Sequence, residues 1–275
     1  IMGLLGLSLK IVKRTLFVFF VAAWLLPSPV HSRTLRYATT SFGEENLDPT
    51  VTSITASLGV VGPLWDWLTE VTADGKLQPA LALSWKAAGD GLSWVFQLRR
   101  GVKFHDGTEM TAEDVQFTWM EAFRRPEAKS SRAVQFRKGI KDVKVVDRYT
   151  VSIQTVAPWP TLPFDVSNQP GIEGIVLPKH YAQKVGWAGF ARRPMATGPW
   201  KFVQHEVGNS VEFEAWKEHW KMPPHFDRLR IIVVPEAATR IAMLKTGQVD
   251  IADVTHDEVP EVERIRYRHR SNNSL

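Results

Sequence analysis

From Ser93 to Arg99 the side chains alternate, with Trp94, Phe96 and Leu98 on one side and Ser93, Val95, Gln97 and Arg99 on the other. That two-residue period predicts a strand with one well-buried face. The same period marks Arg33 to Thr40 through Leu35, Tyr37 and Thr39. It also predicts a hairpin-like pair over Lys141 to Thr155, with Val143 and Val145 before an Asp147-Arg148 turn and Val151, Ile153 and Thr155 after it. Trp200 and Phe202, a Gly208-Asn209 turn, and Val211, Phe213 and Ala215 predict a second hairpin. Leu229 to Val234 reads as a buried strand, and Val249 to Asp253 as another.

Helical spacing appears where Thr111 to Asp114 form a capping box and Val115, Trp119, Ala122 and Phe123 make one apolar stripe that ends by Pro126. Ala237 to Thr246 predicts a helix closed by Gly247. Val60 to Leu68 predicts a packed helix, and Tyr181 to Phe190 a short helix and loop. Pro158, Pro160 and Pro163 force an irregular path through Phe164. Trp65 or Trp67 could stack on a ligand, although a large aromatic in such a run is more often core.

Several motifs recur in a fixed order: Ser84-Trp85, Asp90-Gly91, the Trp94 strand ending at Leu98-Arg99, Gly101 to Gly107 (GVKFHDG), and Thr111-Ala112 with Asp114-Val115 and Phe117. This run resembles the signature of the family 5 extracellular solute-binding proteins, the dipeptide, oligopeptide and nickel receptors of ABC importers. Glu45 to Pro49, Thr197 to Trp200, Glu218 with Trp220, and Thr239-Arg240 followed by Gly247 to Asp250 resemble further family elements, so the likeness spans about Arg33 to Val259.

The resemblance implies an α/β fold, the periplasmic-binding-protein-like N-terminal lobe of class II type with an α+β insert and the second lobe missing. Residues 33–76 plus 195–262 would form the first lobe, and 77–194 an insert packed on it. Family members are roughly twice this length. Residues 263–275, rich in arginine and without a strand or helix stripe, read as an aberrant tail of a truncated or frameshifted product, or as natural but unfamiliar sequence.

The first 32 residues read as an export signal. Lys10, Lys13 and Arg14 precede an apolar run from Leu16 to Leu26, and Val30 to Ser32 supply a small-residue cleavage site. That run is shorter than the roughly twenty residues of a membrane span, although an uncleaved anchor is the alternative. A periplasmic location follows. Without cysteine the chain has no disulfides, thiolate chemistry, cysteine metal sites or cysteine-linked lipid. The formal net charge of +5 comes largely from the leader and from Arg264, Arg266, Arg268 and Arg270, so it does not point to nucleic acid.

Eight histidines raise a metal hypothesis, but no HExxH or close pairing occurs, and Pro223-Pro224 separates His219 from His225. The expectation is no metal, no cofactor and no catalytic residue: His105-Asp106 is only a pair of sequence neighbours, and there is no nucleophile elbow, P-loop or dinucleotide fingerprint. An enzyme is therefore unsupported, and the resemblance implies a binding protein.

Ligands of open α/β sheets collect outside strand carboxyl ends, which singles out the loop after the first strand. Thr40, Ser41, Phe42, Glu45 and Asn46 are the candidate ligand-binding residues, with Glu45 attracting a cationic amine; the alternative is an ordinary solvated connection. By resemblance, the principal amine-binding Asp lies in the second lobe. The expected partners are a peptide or small-molecule ligand and an ABC permease of the inner membrane, with the receptor a monomer. Weaker alternatives are a non-transporting or holdase-like fragment, and a hydrolase.

Overall fold

The structure is a computed structural model that describes residues 32–43, 45–51, 62–129, 131–169, 171–260 and 262–264. The expected leader lies outside the described residues except for Ser32, and so do residues 265–275 of the expected tail. Glu263 and Arg264, where that tail was expected to begin, are helical.

In chain order the elements are β1 (Thr34–Thr39), β2 (Thr69–Val71), β3 (Leu77–Pro79), β4 (Ala82–Ala87), β5 (Ser93–Leu98), α1 (Ala112–Met120), α2 (Ser131–Gly139), β6 (Ile140–Asp147), β7 (Thr150–Thr155) and α3 (Leu162–Asp165). They continue with α4 (Lys179–Arg192), β8 (Trp200–Glu206), β9 (Ser210–Ala215), β10 (Arg228–Val233), α5 (Ala237–Lys245) and β11 (Ile251–Ala252).

Two main sheets result. The first has the order β11-β1-β10-β9-β8, in which β1 runs parallel to both β10 and β11, while β10, β9 and β8 are antiparallel. The second, β4-β5-β7-β6, is antiparallel throughout, and β2 pairs β3 separately. One apolar cluster joins the two, from Val211, Phe213 and Ile231 of the first sheet to Phe96, Val143 and Ile153 of the second.

Most of the periodic strands form as the pattern predicts, because one face of each meets this cluster. Phe96 and Leu98 are buried and Gln97 is exposed. Gly208 and Gly247 adopt the left-handed conformation expected of the hairpin turn and the helix end. In the capping box, the Thr111 N–H donates to Asp114 Oδ2 at 2.9 Å, while Asp114 Oδ1 accepts from the Lys179 N–H at 3.0 Å and so ties the start of α4 to α1. Burial pushes the Asp114 carboxyl above its usual range, against these hydrogen bonds.

Several boundaries differ from expectation. The stripe through Phe123 is divided: α1 stops at Met120, and Ala122 and Phe123 sit on a 3-10 turn. The strand expected at Val249 to Asp253 shrinks to two residues, and α4 kinks at Gly186, whose φ is 68°. The helix expected over Val60 to Leu68 is the main correction. In its described part only Gly62–Leu64 turns, as a 3-10 segment, and the backbone then runs extended into β2. Partners outside the segment win here: Leu64 O accepts from the Gly198 N–H at 2.8 Å, the Leu68 N–H donates to Gly174 O at 2.8 Å, and Trp67 bridges Ile175.

That pairing demands close backbone approach. A Cβ on Gly198 would lie 2.5 Å from the carbonyl carbon and oxygen of Leu64. Gly198→Ala is therefore expected to lower the unfolding free energy by about 1–3 kcal/mol, the usual cost of overpacking, whereas Gly62→Ala, where the added carbon meets nothing within 4 Å, stays near wild type in urea denaturation.

Candidate functional site

Because β1, β10 and β11 are parallel, their carboxyl ends share one edge of the first sheet, the kind of edge where open α/β folds leave a crevice. Side chains staple this edge. Asp253, just past β11, accepts a hydrogen bond from the Tyr37 hydroxyl and another from Thr39 Oγ1 at 2.6 Å. Burial, reinforced by the Asp253 carboxylate, pushes the Tyr37 hydroxyl up to about 12, so it stays a donor at any physiological pH. Arg240 of α5, only 3% exposed, donates from Nε to Asp253 O at 2.8 Å and from Nη1 to Val234 O and Pro235 O at 2.8 and 2.7 Å. A buried guanidinium spent on three main-chain carbonyls makes the edge a preformed platform.

The loop leaving β1 is anchored twice. Glu45, in the left-handed region at φ 49°, accepts the Gly208 N–H at 2.8 Å and faces His205 Nε2 at 3.1 Å, which clips the loop to the β8–β9 hairpin tip. Further along, Asp48 Oδ1 accepts from the Thr50 N–H at 2.9 Å and from Thr50 Oγ1 at 2.8 Å. Asp48 Oδ2 pairs with Arg125 Nη2 at 2.7 Å, and Arg125 also donates to Thr50 Oγ1. The Arg125 guanidinium lies 3.5 Å over the Trp187 ring, so the pair locks the loop to α4 through an almost fully buried contact.

The five candidate residues separate by environment. Thr40 and Ser41 are exposed, with Ser41 Oγ accepting the Gly43 N–H at 3.0 Å. Phe42 is 2% exposed and packs edge-on to His205 at 6.0 Å, so its ring belongs to the core and not to an open surface. Glu45 and Asn46 are half-buried, and Asn46 Oδ1 accepts the Asp48 N–H at 2.9 Å. The Glu45 carboxylate thus already serves two partners within the protein. Arg125 and His205 were not singled out in the sequence; each acts on a residue far away along the chain, and no local pattern marks them.

Other chemistry raised by the sequence disperses in space. His105 Nε2 meets Gly198 O at 2.9 Å, whereas Asp106 turns to His180 Nε2 at 2.7 Å, so the two neighbours form no acid-base pair with each other. His219 Nε2 faces Asp66 at 3.2 Å. Among the described residues no group of histidine and acid side chains is arranged to hold a metal ion, and no helix is long and apolar enough to cross a membrane.

The family described as "Bacterial extracellular solute-binding proteins, family 5 Middle" matches this chain over residues 76–273, into the arginine-rich stretch at its end. The chain belongs to that family. Within the family it is 33% identical over 195 residues to heme-binding protein A of Haemophilus influenzae, covering 64% of this chain and 35% of that protein. It is 29% identical to the dipeptide-binding protein of Escherichia coli, covering 90% of this chain and 48% of that protein. Among solved structures it is similar to the binding protein MoaA of Agrobacterium tumefaciens, seen in complex with mannopinic acid, at a TM-score of 0.75 and 25% identity over 88% of this chain and 48% of that one. The α/β periplasmic-binding-protein fold is therefore the fold of this chain, which spans about half the length of these relatives or less. The relatives named are binding proteins, and at the level of the family the chain is one too.

Proposed function

We propose that this chain is part of a periplasmic solute receptor of an ABC importer, which takes up peptides or similar small solutes and delivers them to an inner-membrane permease. The observation that carries this reading is the preformed edge at the carboxyl ends of β1, β10 and β11, with the exposed hydroxyls of Thr40 and Ser41 on a loop anchored behind them. In this reading Thr40 and Ser41 contact solute, Glu45 adds negative charge that attracts its amine, and Phe42 and Asn46 hold the loop in place. The first lobe is taken as 33–76 plus 195–262 and the insert as 77–194, a division supported by the first sheet drawing its strands from residues 34–39 and 200–252 and the second from 82–155. The receptor acts as a monomer, exported by its leader.

Ligand-dependent thermal stability tests the reading. Di- and tripeptides with a free amine should raise Tm, since a ligand at a hundred times its Kd adds about 2.7 kcal/mol, and N-acetylated peptides should do so less. Glu45→Gln keeps an acceptor for the Gly208 N–H but removes the charge, so it should weaken binding of the free-amine peptides selectively. A flat response to every peptide, or turnover of chromogenic peptides or esters, would contradict the proposal; unchanged affinity in Glu45→Gln would remove that charge from the site.

A further inference from the structure

A second concavity of about 380 Å³ lies where the Trp65 to Glu70 segment meets the 219–222 loop, and none of its lining residues belongs to the crevice edge or to the loop after β1. Its walls include Trp65, Trp67 and Trp220, with the carboxylates of Asp66 and Glu70 and the ammonium of Lys221 among them. We propose that this cavity binds a small organic ammonium ion.

The lining holds two carboxylates, Asp66 and Glu70, and one ammonium, Lys221, against aromatic walls, while the Arg99 guanidinium stands just outside, its Nε donating to Ala80 O of the wall at 3.0 Å. Asp66 has no lysine or arginine partner among the described ion pairs: its carboxylate accepts the Trp220 Nε1–H at 2.8 Å and faces His219 Nε2 at 3.2 Å, which fixes the indole. The remaining pair marks where an ammonium is already accepted. Lys221 Nζ lies 2.6 Å from Glu70 Oε2 on a half-exposed side chain, a primary ammonium seated by the protein itself. Trp220 already carries one cation, since the Arg99 guanidinium lies 4.4 Å from its ring centroid, and Arg99 itself is not part of the lining. A quaternary or primary ammonium would thus meet the Trp67 and Trp220 indoles and Glu70, displacing Lys221, with Trp65 buried behind them.

Choline and its neutral carbon isostere 3,3-dimethylbutan-1-ol, titrated calorimetrically into the full chain, separate charge recognition from plain apolar burial. Choline should bind saturably at roughly millimolar Kd, at least about tenfold more tightly than the alcohol. Glu70→Gln should weaken choline by about fivefold to tenfold, Lys221→Ala should strengthen it several-fold by removing the internal competitor, and Trp220→Leu should abolish it. Circular dichroism checks that each variant folds; if Trp220→Leu does not, the two surface variants decide. Equal binding of the alcohol, no saturation by about 50 mM choline, or choline affinity indifferent to both Glu70→Gln and Lys221→Ala would each overturn the proposal.

Discussion

Asp48→Ala is expected to destabilise the protein by about 3–5 kcal/mol, a large part of the total stability of a domain. The Arg125 side chain is 11% exposed and that of Asp48 only 3%, so removing the acid leaves a guanidinium charge in the interior with no counter-ion, its remaining neighbours being Thr50, the Ala122 carbonyl and the Trp187 ring. The turn that Asp48 makes with Thr50 is lost at the same time. Arg125→Met in the Asp48→Ala background should recover part of the loss, because the stranded charge and not the missing attraction is the main cost. Urea denaturation of the two single variants and the double variant provides the measurement. An Asp48→Ala cost below about 1 kcal/mol would mean that the pair is solvated and does not anchor the loop. The same substitution should speed amide exchange in residues 45–51, since the far anchor of the candidate ligand loop is gone.

Acid should weaken the fold through His105. Burial drives this imidazole down to about 4 from an ordinary 6.5, against the Gly198 carbonyl, which favours the protonated form, and with the help of the nearby Lys201 charge. The folded state therefore binds fewer protons at this site than the unfolded chain between those two values. Its contribution to stability is complete above pH 6.5 and is lost as the pH falls toward 4. The full swing is on the order of 3 kcal/mol. Unfolding free energies measured from pH 7 to pH 4 should fall accordingly, and His105→Gln, which cannot titrate but can still donate to Gly198 O, should flatten that part of the curve. If wild type and variant show parallel pH dependence, the imidazole is not held neutral. The consequence is architectural, because His105 joins the loop before α1 to the strand entering β8: its N–H donates to Ala196 O at 2.9 Å.

Much of the fold was legible because its determinants are local. The alternation of Trp94, Phe96 and Leu98 needs only that one side of a strand be covered, and the capping box at Thr111 to Asp114 needs only its own four residues. Gly208 and Gly247 stand where a left-handed backbone is required. The motif order of GVKFHDG and its neighbours pointed to the family that the match over residues 76–273 then established. The candidate site was legible only as a place. The loop after β1 could be named from the direction of its strand, but the roles inside it could not: Phe42 turned inward, and Glu45 spent its carboxylate on the hairpin tip.

What escaped the sequence depends on contacts between distant positions. The helix expected over Val60 to Leu68 gives way to extended chain after Leu64, because the Gly198 N–H takes the Leu64 carbonyl and Gly174 O takes the Leu68 N–H. Asp48 and Arg125 are 77 residues apart, Glu45 and Gly208 are 163 apart, and Tyr37 and Asp253 are 216 apart. Periods, turns and caps follow from steric and hydrogen-bonding preferences within a few residues, so the order of amino acids alone specifies them. Which carboxylate meets which donor, and which aromatic ring is buried, is decided only when the parallel strands β1, β10 and β11 assemble and bring together groups that no local preference connects.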